Sequence, residues 1–170
     1  MLKLNICSGV KLVVLEKEST GMILDNGKIM RADYPENREL IEYYRHEYDI
    51  FQNSYYLMGM LLNDDQIIRR VGELSLIECY IYGGGFLGIQ TYRVLSRYVS
   101  VKAIVDGRGS LKFDCPDISV IDIEELRNNY RGETIIITPV QFAKEIYSEL
   151  SRFVENEKLI FLGELVQGGV

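Results

Sequence analysis

Gly83, Gly85 and Gly88 stand at G-x-G-x-x-G spacing directly after an apolar, β-favouring run, Cys79 to Tyr82. A chain that turns sharply out of a strand, lets a ligand approach bare backbone and then packs a helix close to that strand wants no side chain at those three points. The chemistry this suits is the seating of a phosphate. Free amides at the start of the helix opened by Phe86 would face the anion, and the helix dipole favours negative charge there. No catalytic side chain is needed for that. A second apolar run, Val101 to Val105, ends on Asp106, roughly twenty residues beyond the turn, where a carboxylate can accept hydrogen bonds from a ribose diol. Its charge disfavours a 2′-phosphate, so NAD is the expected cofactor rather than NADP; Arg108 weakens that preference. The competing reading is a glycine-rich turn that binds nothing, with Asp106 as a polar strand end before the turn Asp106-Gly107-Arg108-Gly109.

The elements that must hold these residues can be read from pattern. Phe86 to Tyr98 is amphipathic and reads as a helix, and Ile118 to Ile121 as a short strand after the turn-rich segment Gly107 to Asp117, which carries Cys115-Pro116. Asp122 with Glu125 resembles a capping box for a helix reaching about Tyr130. Thr134 to Thr138 is a continuous apolar strand of the kind buried on both faces of a parallel sheet. Thr138-Pro139 can cap and begin a helix over Val140 to Asn156, with Phe142, Ile146, Leu150 and Phe153 or Val154 on its inner stripe, and Leu159 to Leu162 closes the sheet. Right-handed crossovers give a Rossmann-like α/β fold with a parallel sheet of order 3-2-1-4-5 over 76–170. The switch point falls between the strands ending at Tyr82 and Thr138, which makes Thr138 a further site candidate, with helix capping as its alternative role.

The first part, 1–75, reads as a smaller β-rich and helical appendage. Val10 to Leu15 and Met22 to Leu24 are short apolar runs, and Asp25-Asn26-Gly27-Lys28 is a turn signal before Ile29 and Met30, which together make a small antiparallel meander. Pro35 to Glu39 resembles an acid-rich first helical turn, with Leu40, Ile41, Tyr44, Tyr48 and Phe51 at helical intervals; a second helix is expected over Ser54 to Leu62 and a third over Gln66 to Val71, capped from Asn63-Asp64-Asp65. Tyr34, Tyr43, Tyr44, Tyr48, Tyr55 and Tyr56 crowd this region, and tyrosines with an apolar body and polar tip suit an interface, so a homo-oligomer through these helices is expected.

Composition removes several functions. The chain has 170 residues, enough for one good core with a small appendage. A net charge of -6 with scattered Lys and Arg argues against a nucleic-acid groove. No apolar run approaches the roughly twenty residues a bilayer span needs, and the start lacks a signal-peptide core, so a cytoplasmic protein without a membrane partner is expected. Cys7, Cys79 and Cys115 are widely separated, form no C-x-x-C pair and, with the single His46, lack zinc-motif spacing, so no metal is expected. HEYDI lacks the second histidine of H-E-x-x-H, GGGFLG lacks the Lys-Ser or Lys-Thr of a P-loop, and no G-x-S-x-G elbow occurs. Tyr98 and Lys102 match Y-x-x-x-K but straddle a helix end and a strand, which removes the shared helical face that chemistry needs.

At YIYGGGFLGIQTYRVL, VKAIVDGRG, DISVIDIEELRNNYRGETIIITP and EIYSEL the chain resembles the Rossmann-like module of bacterial sugar-modifying proteins, found at the amino terminus of sialic-acid and bacillosamine-type acetyltransferases and the carboxy terminus of sugar C-methyltransferases. The resemblance covers Leu76 to Val166 and belongs to the module rather than to one activity. It implies that Gly83, Gly85, Gly88 and Asp106 touch a nucleotide or nucleotide-sugar, in surface-polysaccharide or sugar metabolism. The chain departs from those proteins in having neither a following left-handed β-helix repeat nor a preceding methyltransferase domain with zinc cysteines. The expected function is therefore binding of a nucleotide, dinucleotide or nucleotide-sugar. An NAD-dependent oxidoreductase or epimerase completed by the front end or a second subunit is the enzymatic alternative, and a ligand-free scaffold the third; S-adenosylmethionine and coenzyme A also carry an adenosine that suits the Asp106 position.

Overall fold

The computed structural model describes residues 38–107 and 117–167, and four strands ahead of them. The chain divides into two compact units, Met1–Phe51 and Gln52–Val170. In the first, β1 (Leu2–Ile6), β2 (Val10–Val14), β3 (Met22–Asp25) and β4 (Lys28–Arg31) pair antiparallel in chain order. Asp25 stands opposite Lys28 in the β3–β4 register. Asn26 and Gly27, the Pro35–Asn37 helix start, Cys7, Arg108 and Cys115-Pro116 lie outside the described residues.

Arg38–Leu61 is one helix, α1, of 24 residues, where the sequence pattern suggests two. Nothing between Phe51 and Ser54 breaks a helix: Gln52 and Asn53 are exposed polar residues with ordinary helix propensity. α2 (Asp64–Glu73) starts at Asn63, whose side chain accepts from the Gln66 amide at 3.3 Å while Asp64 and Asp65 occupy the dipole-favoured first turn.

The second unit is built on a five-stranded parallel sheet of β5 (Glu78–Tyr82), β6 (Ser100–Val105), β7 (Val120–Ile121), β8 (Thr134–Ile137) and β9 (Leu159–Phe161), in the order β7-β6-β5-β8-β9, which is the expected 3-2-1-4-5. β8 is an inner strand and reads TIII because both of its faces are covered: Ile136 enters one core, Ile135 and Ile137 the other. The Ile136 face is closed by α3 (Phe86–Leu95) and by Leu61 and Ile67 of α1 and α2. Those two residues precede the 75/76 boundary suggested by sequence, and the compact unit that holds this core is Gln52–Val170. The opposite face is closed by α4 (Ile123–Asn129), which Asp122 caps by accepting from the Glu125 amide at 2.8 Å, and by α5 (Ala143–Leu150).

α5 is much shorter than the span Val140 to Asn156. Pro139 does not open it; Phe142 sits at its N-cap and is 56% exposed, off the inner stripe. The helix ends at Leu150, and the chain turns back with the Phe153 and Val154 amides both donating to the Leu150 carbonyl, so that Val154 enters the same core as Leu150. Leu162, expected in the last strand, instead begins α6 (Leu162–Gln167), which packs on the α2 side of the sheet. α2 caps it from outside: Arg70 donates to the carbonyls of Leu165 and Glu164 at 3.3 and 3.0 Å, and Gln66 to that of Val166.

Candidate functional site

β5 leaves the sheet at Tyr82, and four hydrogen bonds fix the turn beyond it. The Gly83 amide donates to the Val105 carbonyl at 2.8 Å, and the Gly84 amide to Oδ2 of Asp106 at 2.8 Å. From the other side, the Thr138 amide and hydroxyl both donate to the Tyr82 carbonyl, at 3.1 and 2.9 Å. The glycine turn is thus tied to the ends of β6 and β8, the two neighbours of β5. This is the carboxyl edge of the sheet at the point where strand order reverses, the place where open α/β sheets bind ligands.

The three spaced glycines differ in what requires them. Gly83 has φ +110°, and a Cβ there would lie 2.7 Å from Thr138 Oγ1 and 2.9 Å from the Pro139 ring, so both conformation and space exclude a side chain. A Cβ on Gly88 would lie 1.8 Å from the Gly83 carbonyl oxygen, which is the close helix-to-strand approach the spacing implies. At Gly85 neither limit applies: φ is -82°, and nothing lies within 4 Å of the Cβ position. Gly85 is the N-cap of α3 and supplies no side-chain cap. The amides of Phe86 and Leu87 come next, in the first turn where no intrahelical carbonyl can reach them.

Of the residues expected at the site, Gly83, Gly85, Gly88, Asp106 and Thr138 converge on the turn, while Phe86 begins α3 with its ring 54% exposed. Thr138 is only 2% exposed and its hydroxyl is committed to Tyr82, so its part is to position the loop, and it does not cap a helix. One oxygen of Asp106 holds the Gly84 amide, so this carboxylate shapes the turn as well as edging the site. Sequence reasoning passed over Gly84 and Pro139. The signal for the first was the unbroken Gly83-Gly84-Gly85 run, whose middle amide needs a partner; Pro139 gave none, because its contact with Gly83 arises only when β5 and β8 become neighbours.

Two clefts bear on chemistry. One of about 480 Å³ lies at the opposite, amino-terminal end of the strands, among Ser75, Glu78, Lys102, Arg131, Glu133 and Lys158. Lys102 is ion-paired there with Glu78 at 3.1 Å and Glu133 at 3.9 Å, and the Glu78 hydrogen bond holds its ammonium above the usual lysine range. Both carboxylates of the cleft are thus taken up by Lys102, and the cleft lies at the opposite end of the strands from the glycine turn, so its size alone gives it no claim to the site. A smaller cleft of about 230 Å³ opens beside Thr138 at the carboxyl edge. Among the described residues no group of His, Cys, Asp and Glu could hold a metal ion, and no helix is long and apolar enough to cross a membrane. Cys79 is fully buried in β5, and burial pushes its thiol up to about 12, which leaves it protonated and unreactive at neutral pH.

No protein-family model matches the chain, and no match is found among curated proteins or among solved structures.

Proposed function

We propose that this chain binds a phosphate-bearing nucleotide ligand, with the phosphate on the amides of Phe86 and Leu87 and a ribose beside Asp106. The observation that carries this reading is Gly85. A Ser or Asp at an N-cap would stabilise the helix by a few tenths of a kcal/mol, about 0.3, over Gly, its oxygen accepting from one of the first-turn amides. Such a side chain would have room here, yet the position is bare. Bare backbone at a helix start, on the reversal point of a parallel sheet, is what an anion needs in order to reach the amides. Charge at Asp106 favours NAD over NADP as a cofactor, and a place in sugar or surface-polysaccharide metabolism rests on the sequence resemblance alone. Homo-oligomer formation through α1 belongs to the same proposal, supported by the exposure of Tyr55 (73%) and Tyr56 (55%).

The test is Gly85→Val, with ADP binding followed by calorimetry. Stability stays within about 1 kcal/mol of wild type, since Val is a poorer N-cap than Gly but its Cβ has nothing within 4 Å. ADP binding is lost because the isopropyl group covers the amides. A variant that binds ADP as the wild type does removes the glycine turn from the function.

A further inference from the structure

We infer that the cleft at the amino-terminal end of the strands binds the phosphoryl group of a small anion, at a second site independent of the glycine turn. Charge carries the first step. Five charged side chains line this cleft, Lys102, Arg131 and Lys158 against Glu78 and Glu133. Lys102 is paired with both carboxylates, and Glu133 also accepts from the Arg131 amide at 2.7 Å, so the two acids are answered within the protein. Arg131 and Lys158 are exposed and have no carboxylate partner among the described residues. Nη1 of Arg131 donates to the carbonyls of Asn128 and Tyr130 at 2.9 and 2.7 Å, which fixes the guanidinium and leaves Nε and Nη2, one edge of its planar fork, for an anion. The chain carries a net charge of -6, so this local excess of positive charge runs against the field of the molecule and acts only within about 10 Å, at the cleft itself.

Conformation gives an independent sign. α2 ends with the Ser75 amide donating to the Gly72 carbonyl and the Leu76 amide to that of Val71, both at 3.0 Å, an arrangement whose left-handed residue is ordinarily glycine. Here that residue is Ser75, at φ +49°. Ending the helix would be better served without a side chain. The serine instead keeps a hydroxyl on a residue that lines the cleft, where it makes no hydrogen bond within the described residues. Ser75 follows α2, Arg131 follows α4, Thr134 opens β8 and Lys158 precedes β9, so the donors come from four separate segments. Donors on several sides of one cleft suit a tetrahedral phosphoryl group with three terminal oxygens better than a flat carboxylate with two. About 480 Å³ lies within the roughly 300–1,000 Å³ of small-molecule sites, and Ile77, 77% exposed, gives the rest of such a molecule an apolar wall.

Inorganic phosphate and glycerol 3-phosphate, titrated into the full chain at constant ionic strength and followed by backbone amide resonances, test this, with citrate as the carboxylate control. The Ser75, Gly132 and Thr134 amides shift saturably with a midpoint below about 10 mM, and the tighter of the two phosphates tells whether the source is the free ion or an ester. The Phe86 and Leu87 amides report the glycine turn separately, so either site can fail alone, and Gly85→Val leaves the cleft titration within twofold. Lys158→Gln, on an exposed side chain with no ion pair to lose, weakens binding at the cleft about tenfold, as loss of a charge-assisted hydrogen bond does, and Arg131→Gln does the same. Ser75→Gly weakens it about threefold while the urea midpoint stays level or rises, a combination that a purely structural serine would not give. Absence of saturable shifts at the cleft, an affinity unchanged in Lys158→Gln or in Ser75→Gly, or citrate bound more tightly than either phosphate overturns the inference.

Discussion

A methyl group on Gly88 would sit 1.8 Å from the Gly83 carbonyl oxygen, a collision that only backbone movement can relieve. Gly88→Ala should therefore cost about 1–3 kcal/mol or more, as forced overpacking does, and urea unfolding measures the loss. Gly85→Val, close to wild type in the same experiment, gives the contrast: neighbouring glycines of one motif, of which one answers to the fold and the other, in the proposed reading, to a ligand. Asp106 would answer to both. Asp106→Ala removes the carboxylate that holds the Gly84 amide and the acceptor proposed for the ribose. It should weaken ADP more than inorganic phosphate in parallel calorimetric titrations, since only the first carries the diol. An equal loss for both would assign Asp106 to loop positioning alone.

Among the elements, those with a self-contained signal were legible. β5, β6 and β8 were found because each is an apolar run bounded by turn chemistry, and α4 because Asp122 and Glu125 announce it; crossover handedness then set the sheet order. The elements that were missed depend on distant partners. α6 continues from β9 without a break, and its carbonyls are satisfied by Arg70 and Gln66, almost a hundred residues earlier. The stripe drawn through Phe142, Ile146, Leu150 and Phe153 or Val154 contained the buried core residues Leu150 and Val154, with Ile146 and Phe153 packed against them, but assumed that one helix joined them. The same limit holds at the site: three glycines and an acid could be read from spacing, whereas Thr138 as a loop brace required β5 and β8 to be side by side. Helix caps are local and so open to a clean test. Asn63→Ala should lower stability by about 1 kcal/mol through loss of the α2 cap, read as a shift in the urea midpoint without a change in slope.

Among the described residues, four groups wholly or partly withdrawn from water are shifted in one direction. Burial pushes Cys79 up from 9.0 to about 12. The phenols of Tyr80, Tyr82 and Tyr130 are likewise raised, first by burial; Glu133 adds to the shift at Tyr80, Glu149 and Asp106 at Tyr82, and the Glu155 carboxylate accepting from the hydroxyl at Tyr130. All four are neutral when protonated, and the unfolded chain gives up these protons first, near 8.5–9 for the thiol and about 10 for the phenols. Their contribution to stability is therefore complete below about pH 8.5 and is lost as pH rises, beginning with Cys79 between 9 and about 12. The thiol alone can supply a slope of about 1.4 kcal/mol per pH unit in that window. A chain of net charge -6 gains further like charge over the same range, which adds to the effect. The urea midpoint should stay level from pH 7 to about 8.5 and then fall, and Cys79→Ala, although less stable throughout for its lost volume, should delay the fall until the tyrosines begin to titrate near pH 10. A wild-type midpoint that holds or rises between pH 9 and 11 would mean that these groups reach water in the native state, and that the β5 core is more open than its burial implies.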